Sequence, residues 1–175
     1  MQNLMVITAL GHDRPGIVRE LANAVTETGC NIEDSRMSVL GGEFATILMV
    51  SGRWNELAKL ESSLPNSARR MGLEVHIQRT ESVEGGEQLL PYTVEVVALD
   101  HPGLVSELAN FFAEREINIR DMSTASYAAA HTGTAMFSVM MSVDVPAGLH
   151  IASLRDEFMA FCDQYNLDAI MEPAK

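Results

Sequence analysis

The chain has 175 residues, 47% of them apolar and 21% charged, enough for a sizeable core and too apolar for a disordered chain. Its 24 Asp+Glu against 12 Lys+Arg give a formal charge of −12. Such a chain gains nothing from counterion release at a nucleic-acid backbone, which argues against direct DNA or RNA binding.

Leu4–Leu10 is apolar except for Thr8 and is cut short by the GHDRPG break, a length that suits a buried strand rather than a helix. From Pro15 to Thr28 the residues Ile17, Val18, Leu21, Ala22 and Val25 recur every three or four positions, with proline in the first turn and Gly29 beyond the end. That spacing predicts an amphipathic helix. Ser35–Leu40 alternates through Met37 and Val39, Gly41 and Gly42 supply the positive φ of a two-residue hairpin, and Phe44–Val50 returns as a third strand. Trp54, Leu57, Leu60 and Leu64 mark a second helix, which Pro65 is expected to end or kink, and Leu73, Val75 and Ile77 alternate with polar residues as a fourth strand. After an acidic, glycine-containing stretch the order returns: Tyr92–Leu99, a helix from Pro102 to Arg115, strands at Ser123–Tyr127 and Ala135–Val143, a helix at Ile151–Tyr165, and Leu167–Met171.

The second half repeats the first. At an offset of 87 residues, Asp13–Asp34 lies on Asp100–Asp121 without a gap, and 12 of 22 positions are identical. The expected organisation is therefore two domains, 1–80 and 92–175, joined by a linker over 81–91. The fold class expected is α+β, two ferredoxin-like βαββαβ domains in tandem. The first and third strands of the first copy are apolar on both faces while helices cover only one, so the open face is expected to pack on another domain or protomer. Pairing within the chain and homo-oligomer formation both remain open on this reading.

The most distinctive segment is the turn from the first strand into the first helix: Gly11, His12, Asp13, Arg14, Pro15 and Gly16 in one copy, Asp100, His101, Pro102 and Gly103 in the other. Free amide donors and the positive end of a helix dipole meet there, and the glycine lets a ligand approach the backbone, an arrangement suited to a carboxylate. The plainer reading is that the aspartate caps the helix and the glycine merely turns; recurrence of the whole turn weighs against it. Asn31 and Asn118 follow the helices. The five histidines form no pair at ligand spacing with one another or with cysteine, so no metal and no cofactor is expected. Cys30 and Cys162 are too few for a disulfide framework, which fits a reducing, cytoplasmic setting, and Cys30 reads as a buried small apolar residue. The longest apolar runs fall far short of the about 20 residues that span a bilayer, so no membrane partner is expected. Nothing assembles a nucleophile, a phosphate loop or an acid–base pair, and no enzyme is expected.

Two βαββαβ units with D-x-PG at the first turn and N-I at the start of the second strand resemble tandem ACT domains, the small modules that bind amino acids. LMVITALGHDRPGIV (Leu4–Val18) with GCNIEDSRMSVLGGEF (Gly29–Phe44) is similar, within them, to the glycine-cleavage repressor family of bacteria. The resemblance implies a regulator that does not hold DNA itself but binds a LysR-type activator of the glycine cleavage operon, with glycine relieving the block. It also implies an effector held between units, its carboxylate near the turn residues above and Asn31 or Asn118 contributed by a neighbour. Replacement of Arg14 by His101 makes the two turns chemically unequal. Two alternatives stand beside this reading: a stand-alone ACT protein that regulates a metabolic enzyme by contact, and an acylphosphatase-like hydrolase using Arg14 and Asn31. Charge divides unevenly: residues 1–80 hold 8 basic and 9 acidic side chains, residues 88–175 hold 4 and 12, a net −8. A basic partner surface is expected to meet the second half.

Overall fold

The short apolar run near the start of the chain becomes β1, Asn3–His12, in a computed structural model that describes residues 3–81 and 88–174. β1 lies between β3 (Glu43–Gly52) and β4 (Leu73–Thr80), both antiparallel to it, and β2 (Asn31–Leu40) flanks β3 on its other side. The order β2-β3-β1-β4 places the first and third strands in the centre. Register sets the faces: Ile7 sits opposite Leu48 on one neighbour and Ile77 on the other, so Met5, Ile7 and Ala9 share one buried face with Phe44, Leu48 and Val50. α1 (Ile17–Thr26) lays Ile17, Leu21 and Val25 on that face at four-residue steps, and α2 (Trp54–Met71) adds Leu57, Leu60, Leu64 and Ala68. The opposite face carries Val6, Leu10, Ile47 and Met49, with no helix of this unit over it among the described residues, and Leu10 is 51% and Ile47 46% exposed.

The chain divides into two compact units, Met1–Glu84 and Gly85–Lys175. The second unit repeats the plan with β5 (Leu89–Leu99), α3 (Leu104–Ala113), β6 (Asn118–Ala128), β7 (Ala135–Pro146), α4 (Ile151–Tyr165) and β8 (Asp168–Pro173), in the sheet order β6-β7-β5-β8. Both units are the α+β, βαββαβ fold that the repeat implies. Their cores differ in size of side chain: Phe111 and Phe112 stand where the first unit has Ala24 and Val25, and Phe111 packs on Phe158 and Phe161 with ring centroids 5.2 and 5.0 Å apart.

Four elements depart from the sequence reading. α2 runs through Pro65 to Met71, because Leu64 and Ala68 continue the buried stripe and their burial outweighs the missing amide. β5 begins at Leu89 rather than Tyr92; β8 pairs with it only from Tyr92 onward, so the absent N–H of Pro91 falls outside the two-sided part of the sheet. Of the expected linker, 82–87 lie outside the described residues. β2 and β6 begin at Asn31 and Asn118, and irregularities at Glu33 and Arg120 interrupt the alternation that would have marked their first residues as strand.

Candidate functional site

Each helix-initiating turn is set by a glycine in the left-handed region. Gly16 has φ 90° and Gly103 φ 98°, and both act as N-cap with no side chain capping the helix. Asp13 and Asp100 do not cap; their own amides are tied to the hairpin, Asp13 to the Gly42 carbonyl at 2.9 Å and Asp100 to that of Ala135 at 3.1 Å. In consequence the amides of Val18 and Arg19, and those of Leu104, Val105 and Ser106, meet no acceptor among the described residues. These donors point out of a helix N-terminus, the geometry that takes a carboxylate.

The side chains around the two turns differ. In the first, Arg14 reaches over to Glu20, its Nη1 and Nη2 donating to the two carboxylate oxygens at 2.7 Å each. These hydrogen bonds raise the arginine above its ordinary value and hold the Glu20 carboxyl below its own. His12 places Nδ1 3.5 Å from Glu43 at the exposed rim, and Pro15 is exposed. Gly11 serves the fold: a Cβ there would stand 2.4 Å from the Gly72 carbonyl oxygen at the start of β4. In the second turn His101 points its Nδ1 at the Pro102 carbonyl, 3.2 Å away. A pocket of about 490 Å³ opens beside it, lined by Asp100, His101, Gly103, Ser106, Ala109 and Phe137.

Asn31 and Asn118 are not brought to the turns of their own units. Gly11 lies opposite Phe44 on β3 while Asn31 lies opposite Ser51, a separation of roughly 23 Å at about 3.3 Å per residue. In the second unit Leu99 is opposite Met136 and Asn118 opposite Asp144, at the far end of β7. Asn31 donates through Nδ2 to Glu33 at 3.0 Å, and the Ser51 hydroxyl donates to the same carboxylate, which is thereby held below its ordinary value.

ACT-domain models match residues 3–78 and 92–157. The chain belongs to the ACT-domain family. Among ACT-domain proteins it is 33% identical over 165 residues to the glycine cleavage system transcriptional repressor of Escherichia coli (strain K12), covering 94% of this chain and 87% of that one. A crystal structure provisionally named a glycine cleavage system transcriptional repressor aligns over 100% of this chain and 99% of its own, at 30% identity and a TM-score of 0.75. A protein of unknown function from Galdieria sulphuraria aligns over the whole of both chains at 26% identity and a TM-score of 0.81. These similarities support a regulatory role for this ACT-domain chain.

Among the described residues no group of three His, Cys, Asp or Glu side chains is placed to hold a metal, and no helix is long and apolar enough to cross a membrane. Both cysteines are buried, and burial pushes the Cys162 thiol up to about 11. The sequence reading did not single out Glu20 and Glu107, whose different partners distinguish the two ACT turns. Their signal was present: the same glutamate recurs in both copies while its arginine does not.

Proposed function

We propose that this chain is an amino-acid-responsive repressor that acts indirectly in the cytoplasm, binding a LysR-type activator of the glycine cleavage operon and releasing it when glycine binds. The observation that carries the reading is the recurrence, in modules 1–80 and 92–175, of a left-handed glycine N-cap that leaves the following helix amides without a capping side chain. Such amides take the effector carboxylate. Gly11 to Gly16 and Asp100 to Gly103 form the two turns, and the distance of Asn31 and Asn118 from their own turns supports a pocket completed by a neighbouring unit. A charge of −12 leaves DNA contacts to the partner. Glycine then works by population shift, favouring a packing that the activator does not engage.

The hydrolase alternative needs a free arginine in the turn, and Arg14 has its fork taken up by Glu20. Titration calorimetry with glycine, serine and a branched-chain amino acid tests the effector. Heat is expected with glycine, and folded protein giving no heat with any of them would sink this half of the reading. Affinity purification from cells grown in low and high glycine tests the partner half, which predicts an activator retained only at low glycine.

A further inference from the structure

Glu20 and Glu107 are one carboxylate in two copies, each at the same step of the first helix of its unit. In the first unit both of its oxygens receive a guanidinium, that of Arg14. In the second unit the arginine is replaced by His101, and Oε2 of Glu107 is shielded from solvent yet meets no hydrogen-bond donor among the described residues. A desolvated carboxylate oxygen without a donor is costly, and its copy shows what would satisfy it.

We propose that Glu107 receives an arginine presented in trans by a basic segment of a partner protein, supplying in the second unit the guanidinium that Arg14 supplies within the first. Glu107 lines a groove of about 500 Å³ between α3 and α4, walled by Phe111, Phe161 and Tyr165 and edged by Glu114 and Glu157. The groove already accommodates one guanidinium: Arg115 lies 3.8 Å from the centre of the Phe111 ring and donates through Nε to Glu157 at 2.9 Å. The first unit has Ala24 in place of Phe111 and builds no matching aromatic wall there. Residues 88–175, with 12 acidic and 4 basic side chains, draw a cationic partner to this half. Once the Glu107 side chain turns to meet it, a planar fork that pairs with the carboxylate and stacks on aromatic rings selects arginine over lysine. This surface is independent of which amino acid the turns hold.

Fluorescence anisotropy of the full chain at low salt, with a labelled nonapeptide of alternating arginine and glycine, tests it. The peptide is expected to bind, and to bind about tenfold more weakly to Glu107→Gln, whose amide keeps the shape without the charge. His101→Arg, which provides the missing guanidinium within the chain, is expected to weaken the peptide similarly and to raise the melting temperature. The lysine version of the peptide should bind several-fold more weakly, and Glu74→Gln on β4 should change nothing. No binding at low salt, equal affinity for the wild type, Glu107→Gln and His101→Arg, or a lysine peptide as tight as the arginine one would each overturn the proposal.

Discussion

Arg14 grips both carboxylate oxygens of Glu20 at 2.7 Å, bridging the turn that leads into α1 to the first turn of that helix. The arginine sits before the glycine N-cap and the glutamate after it, so the pair braces the backbone from which the free amides project. It also cancels a negative charge that would otherwise oppose an incoming carboxylate at the helix N-terminus. The second turn has neither brace nor cancellation, because His101 does not reach Glu107.

Acid should loosen the first turn. Hydrogen bonds from Arg14 hold Glu20 below its ordinary value of 4.5 in the folded chain. A depressed folded value means that the pair stabilises fully above the unfolded value and fades as pH falls through the lower, folded one. Both side chains are nearly two-fifths exposed, so the effect is small. The difference in urea midpoint between the wild type and Glu20→Gln should be largest at neutral pH and shrink between about pH 5 and pH 3. A difference that stays constant across that interval would show that the pair contributes nothing through its charge.

Gly11→Ala should destabilise the first unit by about 1–3 kcal/mol, since the new Cβ would stand 2.4 Å from the Gly72 carbonyl oxygen and backbone must give way. Its counterpart in the second unit is Ala98, 4% exposed and tolerated without such a clash. Urea unfolding followed by circular dichroism measures both this variant and the reverse change, Ala98→Gly. The reverse change is expected to cost about 0.5–1 kcal/mol, from lost burial and chain entropy. Equal costs at the two positions would mean that the close approach is not what requires glycine.

Pro65→Ala should stabilise the chain by about 2 kcal/mol. Proline in a helix interior costs about 3 kcal/mol through its missing amide and its clash with the preceding turn, and part of that returns because proline also restricts the unfolded chain. The ring is exposed, so alanine removes little packing. A lower urea midpoint in the variant would show that the proline is accommodated by a local geometry that alanine loses.

The α2 example marks where the sequence was legible and where it was not. The repeat, the element order and the turn glycines could be read because each rests on local chemistry: periodicity, a positive φ, a dense match at fixed offset. What escaped reading depended on residues far apart in the chain. Asp13 looked like a cap, yet its amide is drawn to Gly42 and no side-chain cap forms. Gly11 belongs to the turn by sequence, and the packing that also requires a glycine there comes from Gly72. Asn31 is expected to serve a neighbour's turn, and only the register with β3 places it at the opposite end of the sheet from the turn of its own unit.

Arg120→Ala should destabilise the second unit more than an ordinary surface change does. Asp144 is 6% exposed in β7 and receives Arg120 through Nε at 3.0 Å and Nη2 at 2.7 Å. Removing the arginine leaves a buried carboxylate without its cation, at a cost of about 1–3 kcal/mol. The arginine is itself 60% exposed, so water can screen and partly replace it, which places the effect toward the lower end. The first unit solves the same position with a neutral partner, the Ser51 hydroxyl donating to Glu33 at the matching irregularity of β2. That comparison suggests the decisive control. Asp144→Asn added to Arg120→Ala removes the charge that was stranded, and urea unfolding should show the double variant more stable than the single one. If the double variant is the less stable, the cost lies in lost packing of the arginine stem rather than in the uncompensated carboxylate.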